Sequence, residues 1–291
     1  MLLGAIEGGG TKTLCAIGEE DGRIIDKIII PTCTPEETMP RIIGYFKEKM
    51  ICALGLASFG PIDLNKESPT YGYITTTTKP EWVNYNVLGT LKDALKVPCG
   101  FDTDVNGAVL GEVTYGALRH AQNGLYITIG TGIGTGIYIN GGLVHGMQHP
   151  EGGHMMLKRH PEDDFKGICD YHSDCLEGLA SGPAILARTG HRGDEIPADD
   201  KVWEFVSYYI AQAICNYILV LSPQKIILGG GVMQQEFLFP MIRSKVRELM
   251  NGYIATEEMR NLDSYIVPSM LKGDQAIMGC MKLAYDEAIR S

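Results

Sequence analysis

The sequence of 291 residues predicts an α/β protein, because short apolar runs typical of strands are mixed with longer stretches typical of helices. Two further observations predict two domains. At roughly 150 residues per domain, the length corresponds to about two. In addition, residues 124–139 repeat the pattern of residues 6–17, in which a strand meets a Thr-containing glycine cluster and returns as another strand. We interpret this repeated pattern as a weak internal duplication, with a β-hairpin at the start of each lobe.

The first half of the chain begins with three predicted strands that glycine-containing turns separate. Thr34 is a candidate N-cap for the helix that follows them. Residues 60–84 form a long connection rich in Thr and Pro, and loops of this length are often functional. The predicted strands cover residues 2–7, 13–17, 23–30, 52–56 and 99–103, and the predicted helices cover residues 35–49, 87–96 and 105–115.

The second half alternates in the same way after an irregular region at residues 145–178. A glycine-rich turn at residues 130–136 separates its first two predicted strands. The predicted strands cover residues 124–128, 136–139, 225–228 and 265–267, and the predicted helices cover residues 181–189, 200–221, 237–250 and 274–288.

Composition excludes several classes of protein. A hydrophobic fraction of 45% with a mean hydropathy near zero is typical of a globular protein with a full core. The net charge of −10 disfavours nucleic acid as a partner. The sequence contains no apolar stretch of about 18 residues, so no membrane span is predicted. The N-terminus lacks the basic region of a signal peptide. Eight scattered cysteines favour free thiols in the cytoplasm over a disulfide framework.

Three glycine clusters are candidates for binding a nucleotide, although neither a P-loop nor a Rossmann fingerprint is present. Glycine lets backbone N–H groups approach phosphate oxygens, Thr hydroxyls add donors, and Lys12 adds a cation. Any one cluster could be only a tight turn, whereas three together favour a nucleotide site. The candidate ATP-binding residues are Gly9, Gly10, Thr11, Lys12, Gly130, Thr131, Gly132, Gly229, Gly230 and Gly231.

Asp104 lies at a predicted strand-to-helix junction. Either Asp104 or Thr103 could serve only as the helix N-cap. A carboxylate at such a junction also points toward the place where α/β sheets bind ligands, and there it could accept a hydroxyl proton. In the compact polar segment at residues 149–154, Glu151 and His154 could hydrogen-bond a polyol, or the segment could be an exposed turn.

Cys169, His172 and Cys175 have the spacing of metal ligands. His154 is the best candidate for a fourth ligand, and His149 and His160 compete with it. Four protein ligands would make a structural zinc site that folds the surrounding loop. The alternatives are a disulfide between the two cysteines or two unrelated thiols.

Taken in order, these residues resemble the ROK family (repressors, open reading frames and kinases), in particular its fructokinase branch, over nearly the whole chain. Residues 7–12 resemble the family's D-x-G-G-T-K loop. Asp104 lies where the family has its catalytic base, and Glu151 with His154 matches the E-x-G-H sugar motif. The second glycine loop and residues 146–154 match the family signature, and the zinc run followed by Glu177 resembles the family's zinc loop and the sugar-binding glutamate after it.

The resemblance implies a two-lobed ribonuclease H-like, actin-like ATPase fold with the active site in the interlobe cleft. The lobes would be residues 1–116 plus 278–291 and residues 117–277. It also implies ATP, Mg²⁺ and Zn²⁺ as cofactors, frequent homodimers, and phosphorylation of a hexose. Asp104 would be the catalytic base. Thr103, Asn106, Glu151, His154 and Glu177 would bind the sugar, and His154, Cys169, His172 and Cys175 would bind zinc.

Three departures from the common family pattern point to the fructokinase branch. Glu7 replaces an Asp, Thr103 replaces a sugar-binding Asn, and His172 replaces a cysteine; segments 71–74, 79–82 and 149–151 also resemble that branch. The substrate implied is therefore D-fructose. A kinase for glucose, mannose or an N-acylhexosamine is the alternative. A sugar-responsive regulator is less favoured, because those members carry an additional N-terminal DNA-binding module, whereas here the first strand begins by Leu3.

Overall fold

A computed structural model of the chain describes residues 1–290 and contains two compact units. The first unit comprises Met1–His120, Leu143–Pro150 and the described residues from Met270 onward, and the second comprises Ala121–Gly142 and Glu151–Ser269. Residues 117–120, 143–150 and 270–277, which the family resemblance assigns to the second lobe, therefore cluster with the first unit. His145 and His149 bind side-chain and backbone groups of that unit, and the residues after Met270 lead into its last helix.

The elements of the first unit are β1 (Leu3–Gly8), β2 (Lys12–Gly18), β3 (Ile24–Pro31), α1 (Pro35–Lys47), β4 (Ala53–Ser58), α2 (Val87–Leu95), β5 (Cys99–Thr103) and α3 (Asp104–Tyr115). The strands form a five-stranded sheet in the order β3-β2-β1-β4-β5. Strands β1, β2 and β3 form an antiparallel meander, whereas β1, β4 and β5 run parallel. The carboxyl ends of the three parallel strands lie at one edge of the sheet, where ligands bind in open α/β sheets.

The strands of the second unit are β6 (Gly124–Ile129), β7 (Ile133–Ile139), β8 (Gly142–Leu143), β9 (Lys225–Gly229) and β10 (Ile266–Pro268). They form a five-stranded sheet in the order β10-β9-β6-β7-β8. The helices of this unit are α4 (Leu176–Ala180), α5 (Gly182–Thr189), α6 (Val202–Leu221), α7 (Leu238–Met250), α8 (Glu257–Arg260) and α9 (Leu262–Tyr265). The strand β7 begins at Ile133 rather than at Gly136, because Gly134 and Thr135 continue the ladder with β6.

The last helix, α10 (Gln275–Ala288), returns to the first unit and covers one face of its sheet. Small side chains on the strands leave room for it: Gly55 is required because a Cβ there would lie 1.8 Å from the backbone oxygen of Cys280. The buried residues of this face are Leu3, Ala5, Ala16, Ala53, Ala57, Ile277, Cys280, Met281 and Ala284. The first unit therefore builds part of its core from both ends of the chain.

Helix α6 is, among residues 1–290, the one helix with the length and apolar content that could cross a membrane. No membrane-spanning segment was predicted from the sequence. The buried share of its apolar window is 56%, and Trp203, Tyr209 and Ile214 of this helix are each fully buried. Core helices of globular proteins have the same properties, so α6 is a packing element of the second unit.

Candidate functional site

The first glycine loop connects β1 to β2 and is held in a fixed shape by Thr32. The Gly9 N–H donates to the Lys12 carbonyl at 3.0 Å, which closes the turn. Thr32 donates from its N–H to the Thr11 carbonyl at 3.0 Å and from its hydroxyl to the Gly9 carbonyl at 2.8 Å. Among residues 1–290, the N–H groups of Gly10 and Thr11 have no hydrogen-bond acceptor. The loop therefore presents two backbone donors on a braced turn, as a phosphate site requires.

Asp104 is the first residue of α3, directly after the carboxyl end of β5. Thr103 is the N-cap of this helix, because its hydroxyl accepts a hydrogen bond from the Asn106 N–H at 3.1 Å. Asp104 is thus relieved of the capping role. Its own Oδ1 accepts from the Val105 N–H at 2.8 Å.

At the edge of the first sheet where β1 and β5 end, two carboxyl groups have pKa values near neutral pH. Desolvation raises the pKa of Asp104 to about 6. Desolvation, followed by the negative charge of Asp104, raises the pKa of Glu7 to about 7. A carboxylate with a pKa near the working pH is suited to act as a general base.

Asp102, two residues before Asp104, is a buried carboxylate that joins Asn106 and Thr103 to the exposed His145, and neither Asp102 nor His145 was among the predicted site residues. Its Oδ1 accepts from the Asn106 Nδ2 at 2.7 Å and from the Thr103 N–H at 2.8 Å, and its Oδ2 lies 2.9 Å from the His145 Nε2. The hydrogen bond to Asp102 raises the pKa of His145. Asn106 is 1% exposed, and its Oδ1 has no partner among the described residues. The sequence offered no signal for this cluster, because 43 residues separate Asp102 from His145.

His149 is an anchor of the chain rather than a metal ligand. Its Nε2 accepts a hydrogen bond from the Ile62 N–H at 3.1 Å, and burial lowers its pKa. The imidazole is therefore neutral, with its proton on Nδ1. His160, the other competing histidine, packs its ring against Phe205 and Tyr208.

The second glycine loop, in the second unit, is short and tied to its neighbours. The Gly130 N–H donates to the Gly132 carbonyl at 2.9 Å, and the Gly182 N–H donates to the Gly130 carbonyl at 2.8 Å. Glu177 on α4 accepts from the Ile133 N–H at 2.8 Å through its Oε2. The glutamate predicted to bind sugar therefore also fixes the end of this loop.

The third glycine cluster, at residues 229–231, lies beside the second loop. It ends β9, and Gly230 adopts a φ of +90° that favours glycine. The Gly231 nitrogen lies 3.6 Å from the position of a Cβ on Gly130. Two of the three predicted nucleotide-binding clusters are thus brought together.

The segment around His154 packs tightly onto β7. Residues Gly152–His154 form a 3-10 turn after the exposed Glu151. A Cβ on Gly153 would lie 1.7 Å from the Ile133 carbonyl oxygen, so only glycine allows this approach. Ile133 therefore packs against this turn through its carbonyl and donates its N–H to Glu177.

The four predicted zinc ligands converge. The ligand atoms of His154, Cys169, His172 and Cys175 all lie within 4.8 Å of one another. The His154 Nδ1 lies 3.6 Å from each sulfur, and the His172 Nδ1 lies 3.7 Å from the Cys169 sulfur. Tetrahedral zinc with Zn–S of about 2.3 Å and Zn–N of about 2.0–2.1 Å requires N···S edges of about 3.6 Å. Both cysteines are free thiols, so the alternative of a disulfide is not adopted.

Comparison with known proteins identifies the family of the chain. The chain matches the ROK family over residues 3–287. It is 50% identical over 284 residues to a fructokinase of Pediococcus pentosaceus, with 98% of each chain covered. It is 46% identical to a fructokinase of Lactococcus lactis subsp. cremoris, with 97% of this chain and 96% of that one covered. The fold matches that of the ROK hexokinase from Thermus thermophilus over the whole of both chains, with a TM-score of 0.80 and 23% identity. The chain belongs to the ROK family.

Proposed function

We propose that this chain is an ATP-dependent hexose kinase that phosphorylates D-fructose to fructose 6-phosphate. The observation that carries the proposal is the full-length similarity, at 40–50% identity, to several fructokinases. The position and raised pKa of Asp104 supply the chemistry that this reaction needs. A cytoplasmic location and a homodimer are part of the same proposal, and light scattering tests the dimer.

Asp104 acts as the general base. Its carboxylate takes the proton from the 6-hydroxyl of fructose as that oxygen attacks the terminal phosphorus of ATP. A new oxygen–phosphorus bond forms, the bond to ADP breaks, and ADP leaves with the electron pair. Because Thr103 performs the capping, the carboxylate of Asp104 is available for this step.

The glycine loops hold the nucleotide. In the first loop, the open N–H groups of Gly10 and Thr11 and the ammonium of Lys12 bind phosphate oxygens, and Gly9 closes the turn that presents them. The second loop binds phosphate in the same way, and the cluster at residues 229–231 lies beside the adenosine. Mg²⁺, when bound with ATP, would neutralise phosphate charge. The carboxyl oxygens of Glu7 and Asp104, at the carboxyl-end edge of the first sheet, are of the ligand type that Mg²⁺ prefers.

The sugar is held by residues of the polar segments. Glu151, His154 and Glu177 position it, with Thr103 and Asn106 beside the catalytic carboxylate. His154 also belongs to the zinc cluster, and its two ring nitrogens divide these tasks. Its Nδ1 faces the cysteine sulfurs, so its Nε2 remains for a sugar hydroxyl, and a metal on Nδ1 would leave Nε2 as a donor.

Zinc is the metal that fits the cluster formed by His154, Cys169, His172 and Cys175. Two thiolates and two imidazoles at tetrahedral spacing form a closed site without an open position for substrate. The metal would therefore be structural, and its task would be to fold the loop that places His154 and Glu177.

The proposal is tested by ADP release with ATP and Mg²⁺ on fructose, glucose, mannose and N-acetylmannosamine. We expect the highest kcat/KM with fructose. Preference for another sugar would keep the mechanism and change the substrate. A folded Asp104→Ala variant with wild-type turnover would refute the assignment of the base, and Asp93→Ala, an exposed carboxylate on α2, is the matched control.

A further inference from the structure

The long connection at residues 60–84 is firmly folded in the region of Lys79. Trp82 is 2% exposed and donates from its indole N–H to the Cys33 carbonyl at 2.7 Å. Its ring packs edge-on against Phe59 and Tyr85, with centroids 5.6 and 5.4 Å away. Lys79 directly precedes the 3-10 turn that contains Trp82. The backbone of Lys79 is therefore held by a buried anchor three residues away.

The side chain of Lys79 lies against the first glycine loop. Its Cε is 3.7 Å from the position of a Cβ on Gly10, and its Nζ donates to the Thr32 carbonyl at 3.3 Å. Thr32 is the residue whose own hydrogen bonds brace that loop. The ammonium group is thus fixed beside the open N–H groups of Gly10 and Thr11.

The charge of Lys79 has no carboxylate partner. Among residues 1–290, no Asp or Glu oxygen lies within 4.0 Å of its Nζ, and a carbonyl uses one of its three N–H donors. Lys12, the other lysine of this loop, acts electrostatically on Glu7 and partly opposes the rise in the pKa of that carboxyl. Lys79 therefore gives this loop a second cation, whose charge no carboxylate of the described residues offsets.

We propose that Lys79 is a second phosphate-binding cation of the first glycine loop and that its ammonium contacts the terminal phosphate of ATP. The terminal phosphate is favoured because the first loop lies in the same unit as Asp104, whose charge acts on Glu7 at the start of this loop. The ammonium donates hydrogen bonds to phosphoryl oxygens and stays protonated, so the bonds made and broken in the transfer are unchanged.

The inference rests on the proposed function, and Lys79→Met tests it. We expect kcat to fall about a hundred-fold, as when one preorganised donor to a reacting oxyanion is removed. The affinity for ADP, measured by calorimetry, and the KM for fructose should stay within about two-fold of wild type, since neither ligand carries the terminal phosphate. Lys79→Arg should retain part of kcat because it keeps the charge. Lys66→Met, an exposed lysine of the same connection, is the matched control and should behave as wild type.

Equal kcat in Lys79→Met and wild type would overturn the inference, as would a parallel loss of ATP and ADP affinity. If Lys79→Met is unstable, Lys79→Ala with added ethylammonium replaces it, and failure of the amine to restore turnover in the folded variant counts against the inference. Wild-type protein that turns over no sugar would refute the proposed function instead. The contrast between ATP and ADP affinity in Lys79→Met, which needs no turnover, would still decide the role of Lys79.

Discussion

The His145 imidazole donates a hydrogen bond from Nε2 to Oδ2 of Asp102 at 2.9 Å, and Oδ1 of Asp102 accepts one from Nδ2 of Asn106, two residues after Asp104. The residues that flank the proposed base are thus fixed by a histidine from Leu143–Pro150, a distant segment of the sequence. The side chain of Asp102 is 5% exposed, so loss of this partner would leave a buried carboxylate short of a donor.

His145→Ala should therefore reduce kcat more than it raises the KM for fructose. A shift of the base by about 1 Å can cost up to about a hundred-fold in rate, and we expect a loss of about ten-fold or more. Steady-state kinetics with both substrates measures the effect. His191→Ala, at an exposed position, is the control, and equal losses in the two variants would contradict the positioning role.

The pKa of Asp104, raised to about 6 by burial, predicts the acid limb of the pH profile. The base must be ionised to accept a proton, so kcat/KM should fall as the pH drops through about 6. Folding shows the opposite trend in this range, since a buried carboxyl with a raised pKa costs less stability once it is protonated. Rates between pH 5 and 8, with circular dichroism as a control for folding, measure the profile. A rate that stays constant down to pH 5 would contradict it.

Asp163 and Arg188 form a buried ion pair in the second unit, with side chains 2% and 6% exposed. Burial raises the pKa of Asp163, but hydrogen bonds from Arg188 and Tyr209 outweigh it and lower the pKa to about 2. Arg188→Met should cost about 3–5 kcal/mol, because it leaves an uncompensated buried charge. The contribution of Asp163 is present above its unfolded pKa of about 3.9 and is lost as the pH falls toward 2.

Urea unfolding at pH 7 measures the loss in Arg188→Met. The matched control is Arg192→Met, since Arg192 pairs with Asp194 at the surface, with side chains 72% and 63% exposed. A change of unfolding midpoint no larger than that of the control would show that the buried pair contributes nothing specific.

Zinc removal should inactivate the enzyme without unfolding the first unit. A strong chelator should disorder residues 150–178, which carry Glu151, His154 and Glu177, and elemental analysis of the untreated protein should find one zinc per chain. Limited proteolysis locates the disorder. Cys169→Ser should have the same effect, and Cys33→Ser, an exposed thiol outside the cluster, is its control. Full activity in metal-free protein with Mg²⁺ restored would contradict the prediction.

Local patterns were the part of the structure that the sequence predicted well. The strands and helices longer than four residues follow from apolar periodicity and glycine punctuation, except for α4 (Leu176–Ala180), most of which lies in the region predicted to be irregular. Three of the four clustered metal ligands lie within seven residues of one another. The predicted turn at residues 130–136 was too long, because glycines inside a ladder resemble glycines in a turn; Gly134 pairs with Thr128 in β7. Thr34 occupies the predicted N-cap but makes no side-chain capping bond.

Contacts between distant segments could not be predicted from one sequence. Tertiary packing brings Lys79 close to Gly10. It also forms the hydrogen bonds from the Ile62 N–H to His149 and from the Ile133 N–H to Glu177. The spacing of these residues along the sequence does not indicate that they are in contact.

Helix α10 affects the order in which the two units can fold during synthesis, because it follows the second unit along the sequence. Its side chains fill the face of the first sheet beside Leu3, Ala5 and Ala53, so the strands of that sheet keep an exposed apolar surface until α10 has been made. The second unit, whose residues all precede Met270, can complete its own sheet earlier. Domains generally fold from the N-terminus as they are synthesised. Here the sheet that is synthesised first is completed last, and deleting one turn of α10 should send the nascent protein to chaperones and proteases.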